Sequence, residues 1–295
     1  MSTFGKGAKG APRDKPMGNK GEEMMGQLEG KSAVILGAAT PGNMGQVVAK
    51  LFASEGAKVM VAGRKEEPLA ALADQIGGTY ALCDITDHVQ VHAMAEKAKS
   101  EYGRVDAAVN CVGVGLLAGL LETTQEQVDM MADLQFKGVH HFLQAFVKVM
   151  SEQEPTGGSI ISISSATTKA LINNHALYIG SKRAGEAMIE CVANDFGHLG
   201  IKANSVSPAF TESPMTEGAF ATPGLVDAFL PRYPLGRLNT SEDVAQACLW
   251  LSSDQAFITG QNIQPNGGVT IRGNPQARDI EAAVGAAMAK MSQGD

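Results

Sequence analysis

Tyr178-Ile179-Gly180-Ser181-Lys182 places a phenol and an ammonium four residues apart, and Ser165 lies thirteen residues upstream of the tyrosine. Positions i and i+4 of a helix share one face, so both heads can serve a single point. A free tyrosine ionises near pH ~10 and is a poor base at neutral pH. An adjacent cation favours the phenolate and brings the group toward the range useful for proton transfer. A serine hydroxyl delivered from a strand end can bond the same substrate oxygen. Together the three groups suit interconversion of an alcohol and a carbonyl.

The spacing alone recurs on many amphipathic helices, so its surroundings must decide. Ser165 closes the β-branched run 158–165, which opens on glycines as a buried strand does. Residues 176–199 read as one long helix carrying the Tyr–Lys pair near its start. Strand end followed by helix start is where open α/β sheets hold their chemistry.

The same alternation runs through the chain. Short apolar strands are predicted at 32–36, 57–62, 79–82, 106–110, 158–165, 202–206 and 261–264. Helices are predicted at 44–54, 67–75, 89–101, 124–150, 176–199 and 240–252, the fourth opening with a capping-box-like Thr123-Thr124-Gln125-Glu126. Such alternation specifies right-handed βαβ units and a single doubly wound α/β domain, its parallel sheet covered by helices on both faces. Residues 1–30, rich in Gly, Lys and Pro, are expected to form a disordered tail before a catalytic domain at 31–270 and a helical extension at 271–295.

Composition narrows the function. A net charge of −7 argues against nonspecific binding to nucleic acid or an anionic membrane. No apolar run is long enough to span a bilayer, and the N-terminal lysines precede no apolar leader segment. Cys83, Cys111, Cys191 and Cys248 are widely separated and read as reduced thiols. These features predict a cytoplasmic protein with a small-molecule partner. His88 and His92 have metal-compatible spacing, but no Glu of the H-E-x-x-H type accompanies them, and they read as solvated histidines.

Gly37-Ala38-Ala39-Thr40-Pro41-Gly42-Asn43-Met44-Gly45 joins the first strand to the first helix. Backbone N–H groups of such a turn can approach a pyrophosphate at a helix N-terminus. After the second strand, Arg64 and Lys65 stand where a carboxylate would accept bonds from the ribose 2′-OH of NAD. A guanidinium there suits the 2′-phosphate of NADP, so NADP is the expected cofactor, with NAD a second possibility. Asp84, after the third strand, suits either an adenine amino group or the cap of the following helix.

These residues resemble the short-chain dehydrogenase/reductase family over about residues 31–270. The likeness includes Asn110-Cys111-Val112-Gly113, Ser165, Tyr178, Lys182, Asn204-Ser205-Val206-Ser207-Pro208-Ala209, Pro234-Leu235-Gly236-Arg237-Leu238 and Asn266-Gly267-Gly268. The resemblance implies a seven-stranded Rossmann sheet, a nicotinamide cofactor and a homotetramer or homodimer. It assigns Tyr178 as general acid/base, Ser165 as the group orienting the substrate oxygen, and Lys182 as the ribose ligand that lowers the tyrosine pKa. Asn110 and Gly113 line the adenosine side. The glycine turn (Gly37, Gly42, Asn43, Met44, Gly45) and Pro208 and Ser213 complete the cofactor site. Three features depart from the family pattern. The turn is two residues longer than usual, with Asn43 at a glycine position. Gln135 stands where a helix asparagine completes the catalytic set, and Pro208-Ala209 replaces Pro-Gly.

The family places a lid at 208–237. Here that segment carries Phe210, Met215, Phe220, Leu225, Val226, Phe229, Leu230 and Tyr233, which predicts a flap closing on an apolar or cyclic ketone, with Phe210, Met215 and His175 at the substrate. A 3-oxoacyl thioester reductase and a silent dinucleotide sensor remain alternatives. Beyond residue 270, Asn274-Pro275 predicts a helix start. Ile280, Ala283, Val284, Ala287, Met288 and Met291 form one apolar stripe, expected to meet a neighbouring subunit.

Overall fold

The computed structural model describes residues 26–293. Seven parallel strands form one sheet in the order β3-β2-β1-β4-β5-β6-β7. They are β1 (Ser32–Leu36), β2 (Lys58–Gly63), β3 (Thr79–Leu82), β4 (Ala107–Asn110), β5 (Gly158–Ile163), β6 (Ile201–Val206) and β7 (Asn262–Ile263). All residues of β1 and β4 are buried, as a parallel sheet covered on both faces requires. The register pairs Ala62 with Leu36, Leu36 with Asn110, Asn110 with Ser162 and Ser162 with Ser205. The carboxyl ends of five strands therefore lie level, and the chain reverses its strand order between β1 and β4. That is the switch point at which open α/β sheets bind ligands.

Two apolar layers cover the sheet. On one face Val48, Phe52, Leu69 and Cys248 come from α1 (Met44–Ser54), α2 (Glu66–Ile76) and α9 (Ser241–Ser252). On the other, Met94, Phe142, Phe146 and Ile189 come from α3 (His88–Tyr102), α5 (Gly138–Ser151) and α6 (Ala176–Phe196). The long helix expected at 124–150 runs from α4 (Gln125–Ala132) through a π-helical segment, Asp133–Lys137, into α5. Its capping box joins Thr124 to Gln127. The helix after β5 ends at Phe196, and a 3₁₀ turn fills Gly197–Leu199.

Residues 1–25 of the expected tail lie outside the described residues. At 26–30 the expectation needs correction: Leu28 is fully buried against the α1 face, and its N–H bonds the Glu55 carbonyl at 3.0 Å. A single apolar side chain in a polar stretch gives no periodicity to read, yet it finds the core.

The lid segment forms α7 (Glu217–Phe220), α8 (Leu225–Phe229) and a 3₁₀ turn, Leu230–Arg232. Phe229 and Tyr233 are buried with Val269, and Ile280 packs against them. After α10 (Val269–Arg272), the last helix, α11, runs from Ala277 to Gln293. The helix start expected at Asn274-Pro275 is displaced. The Asn274 amide bonds the Ala170 carbonyl at 2.5 Å, and the Gln276 N–H bonds Asp279 Oδ2 at 3.0 Å at the helix entry. Ile280, Ala283 and Ala287 face the lid of their own chain, while Met288 and Met291 stay exposed. Among the described residues no helix is long and apolar enough to cross a membrane.

Candidate active site

The β1–α1 turn is stitched by Asn43. Its Nδ2 donates to the Gly37 carbonyl at 2.8 Å, while its Oδ1 caps α1 by accepting from the Gln46 N–H at 3.0 Å. Asn43 thus holds both sides of the turn with one side chain. Gly37 has φ 98°, and a Cβ on Gly45 would meet the Gly37 carbonyl oxygen at 2.6 Å, so both positions need glycine. The N–H groups of Met44 and Gly45 find no acceptor among the described residues.

Two adjoining cavities lie above the switch point. One part, about 380 Å³, is lined by Gly37, Thr40, Arg64, Lys65 and Asp84. The other, about 320 Å³, holds Ser165, Tyr178, Lys182, Pro208, Phe210 and Asn274. Asn43, Cys111, Val112, Gly113, Val114 and Met215 border both. Arg64 reaches Asp84 at 3.7 Å across the mouth and is mostly exposed. Asp84 accepts from the Thr86 N–H and hydroxyl, whereas the cap of α3 is Asp87.

Ser165 stands two residues past β5, still extended, with its Oγ accepting from the Thr167 N–H at 3.2 Å and the Thr167 hydroxyl at 2.8 Å. With both lone pairs used, its own proton is free for another oxygen. Tyr178 and Lys182 lie one turn apart on α6, the ammonium 5.9 Å from the ring centre. Lys182 is buried and donates to the Ile163 carbonyl at 2.9 Å. Burial pushes its pKa down to about 8, with Cys111 and Glu186 opposing. Burial also holds the Tyr178 phenol above its ordinary value, with Ser165 pulling it down. In the protein alone, removal from water is the larger influence on the phenol and the Ser165 hydrogen bond the opposing one.

His175 packs edge-on against the Tyr178 ring, 5.8 Å between centres, and bonds the Asn173 carbonyl through Nδ1 at 2.9 Å. A carbonyl only accepts, so Nδ1 carries a proton, and in the neutral ring Nε2 is an acceptor. Phe210 stacks on Phe220 at 4.5 Å and contacts Phe229 at 4.6 Å, fixing one apolar wall. Ser213 lines the cavity and bonds Thr216.

Three expected residues stand apart from the cleft. Gly42 supplies a left-handed turn position, φ 73°, outside both parts. Asn110 is buried beneath, its Oδ1 accepting from the Val112 N–H at 3.0 Å and so shaping the strand end. Gln135, in the π-helical segment, donates to the Val114 carbonyl at 2.8 Å and accepts from the Ser181 hydroxyl at 3.2 Å.

Two residues escaped the sequence reading. Glu186 Oε1 accepts from Ser164 at 2.6 Å, Thr168 at 2.8 Å and Asn262 at 2.6 Å, tying the strand end before Ser165 to β7. Its i+4 spacing from Lys182 was an available signal. Asn274 reaches the cavity from the C-terminal segment, which no local pattern announced.

Residues 37–270 match the family described as Enoyl-(Acyl carrier protein) reductase. The chain is 34% identical over 251 residues to a 3-oxoacyl-[acyl-carrier-protein] reductase of Thermotoga maritima, covering 83% of this chain and 100% of that protein. It is 33% identical over 248 residues to a mitochondrial borneol dehydrogenase of Lavandula x intermedia, covering 83% and 92%. Among solved structures, a gluconate 5-dehydrogenase from Burkholderia cenocepacia, in complex with NADP and tartrate, superposes with TM-score 0.78 at 26% identity, covering 83% and 96%. The level strand ends, the glycine turn and the Ser165–Tyr178–Lys182 grouping agree with these likenesses, and the chain belongs to the short-chain dehydrogenase/reductase family.

Proposed function

We propose that the protein interconverts a secondary alcohol and a ketone by hydride transfer with NADP(H), on an apolar or cyclic substrate. The observation that carries this reading is that Ser165, Tyr178 and Lys182 line one cavity, which shares a wall with the cleft bounded by the glycine turn, Arg64 and Asp84.

The chain's own residues fit a dinucleotide. Unpaired N–H groups of Met44 and Gly45 at the start of an eleven-residue helix suit a pyrophosphate. Arg64 and Lys65 at the end of β2 suit a 2′-phosphate. When bound, the nicotinamide supplies or accepts the hydride. In the reducing direction Tyr178 donates its proton to the nascent alkoxide, and Ser165 donates a hydrogen bond to the same oxygen. Lys182 keeps N–H groups for ribose hydroxyls after bonding Ile163, and its charge favours the phenolate left after proton transfer. Gln135 holds the Val114 loop and Ser181 in place around these groups.

Ile172, Phe210, Met215 and Phe229 give the catalytic cavity an apolar wall, which supports bulky apolar ketones over sugars. The borneol-dehydrogenase likeness supports the same class. A 3-oxoacyl thioester reductase is the second reading, favoured by the full-length Thermotoga relative. Assembly as a homodimer or homotetramer and a cytoplasmic location complete the proposal. NADPH oxidation with a panel of cyclic ketones, polyol-derived ketones and acetoacetyl thioesters tests it. Turnover of the cyclic ketones is expected to dominate; thioester turnover alone selects the second reading, and none leaves a dinucleotide sensor.

A further inference from the structure

The C-terminal segment beyond residue 270 lies outside the family match, yet it enters the substrate cavity. It is bound on two sides. The Asn274 Nδ2 donates to the Ala170 carbonyl at 2.5 Å, and the Ala277 N–H donates to Asn173 Oδ1 at 2.9 Å, so it grips the loop between Ser165 and α6. On the other side Arg232 pairs with Asp279 at 2.8 Å, and Arg272 donates to the Pro231 carbonyl at 2.9 Å, so it grips the lid.

Within this strap Asn274 is only 5% exposed. The Ala170 carbonyl cannot donate, which fixes the amide with its nitrogen toward Ala170 and its oxygen away from it. Asn274 Oδ1 accepts no hydrogen bond among the described residues, although the side chain lines the cavity. The unpaired Oδ1 is not fully enclosed, so it stays accessible in a side chain that lines the cavity. The neutral His175 ring offers Nε2 as a second acceptor on the same cavity. These acceptors share the cavity with apolar Ile172, Phe210, Met215 and Phe229 and with the hydroxyls of Thr167, Thr211, Ser213 and Thr216.

We propose that Asn274 is a specificity-determining residue: its Oδ1 accepts a hydrogen bond from a hydroxyl or N–H on the part of the substrate remote from the reacting carbon. This rests on the oxidoreductase reading and narrows its substrate class to ketones and alcohols that carry a second, donor-bearing group on an otherwise apolar frame. A site that pairs a donor discriminates strongly against analogues that lack one.

The test is calorimetric binding of cyclohexanone and of derivatives bearing a tertiary hydroxyl to the NADP⁺-saturated protein, in which neither the ketone nor the tertiary alcohol can turn over. The wild type is expected to bind at least one hydroxylated ketone about tenfold or more tightly than cyclohexanone. Asn274→Leu and Asn274→Asp both lose the bond to Ala170, but only aspartate keeps an acceptor. The preference should collapse to about twofold or less in Asn274→Leu and persist in Asn274→Asp. If the leucine variant fails to fold, Asn274→Ala takes its place. Absence of preference in the wild type, as a water pairing Oδ1 would give, overturns the proposal, as does equal preference in Asn274→Leu. Turnover of the same ketones with NADPH is read separately: lack of turnover defeats the oxidoreductase reading, while the binding ratios still decide the role of Asn274.

Discussion

Lys182 holds its ammonium 5.9 Å from the centre of the Tyr178 ring, anchored from behind by the Ile163 carbonyl at 2.9 Å. The anchor is backbone at the end of β5, so the charge cannot swing toward solvent without breaking a buried bond. A charge held this way is poised to stabilise a phenolate and is expensive for the fold. Burial lowers the Lys182 pKa from 10.5 to about 8, against an unfolded chain that stays protonated to near its ordinary value.

The sign of the resulting pH effect follows by linkage. Below about 8 the lysine is charged in both states, and the folded protein bears the full burial penalty. Between about 8 and 10.5 the unfolded chain binds more protons than the folded one, so this group makes stability rise with pH. The drop corresponds to roughly 3 kcal/mol, less about 1 for the hydrogen bond to Ile163. Lys182→Met is therefore expected to raise the melting temperature of the cofactor-free protein near neutral pH, by about 2–8 °C, while abolishing turnover. Thermal unfolding of both proteins across this pH range checks it. A variant less stable than wild type at neutral pH contradicts the argument.

Tyr178→Phe removes the transferable proton while keeping the ring that packs on His175. General acid–base catalysis contributes roughly 10²–10⁴-fold, so kcat should fall by at least about a hundredfold. The cofactor Kd should change little, because the phenol is no ligand of the phosphates. Stopped-flow turnover and fluorescence titration with NADPH separate the two effects. Retention of more than about a tenth of wild-type kcat places the acid elsewhere.

Arg64 is mostly exposed, and its contact to Asp84 at 3.7 Å leaves the guanidinium available to a stronger anion. A charge-assisted arginine–phosphate pair is worth roughly 1.5–3 kcal/mol, some ten- to hundredfold in affinity. Arg64→Ala should lower the preference for NADP over NAD by that factor, measured as the ratio of kcat/KM. An unchanged ratio moves the selection to Lys65 or the glycine turn.

Much of this site was legible from spacing alone, because local rules govern it. The continuous apolar runs of β1 and β4 specified doubly covered strands, and Tyr178 and Lys182 shared a face by helical period. Asn43 was read as an odd replacement for glycine; its double role as stitch and cap depends on the Gly37 carbonyl folding back toward it. Glu186 was on the right face, but its donors come from three separate segments. Asn274 looked like a helix cap because Asn-Pro is a strong local signal. A carbonyl 104 residues away captured its amide instead. Local propensity lost to a buried, otherwise unpaired backbone group, a competition that sequence periodicity does not register. The π-helical turn at Asp133–Lys137 likewise left no period to detect.

The C-terminal helix was expected to cover a neighbouring subunit, whereas its upper stripe lies on the lid of its own chain. Gly224, the cap residue before α8, has φ 76°, and a Cβ there would meet the Ala283 carbonyl oxygen at 2.5 Å and the Ala287 side chain at 3.0 Å. Gly224→Ala therefore incurs left-handed strain and a clash with α11, together about 2–3 kcal/mol. Truncation after Gln276 keeps Asn274 but removes α11, Ile280 and the Arg232–Asp279 pair, and should lower the melting temperature by several degrees. In the truncated background Gly224→Ala should retain only the backbone strain, about 1 kcal/mol. The two changes are thus expected to be non-additive by roughly 1–2 kcal/mol, as residues in contact are. Denaturant unfolding of the four proteins measures that coupling. Additive effects, or a coupling that disappears on dilution, would show that α11 packs on a partner rather than on its own lid.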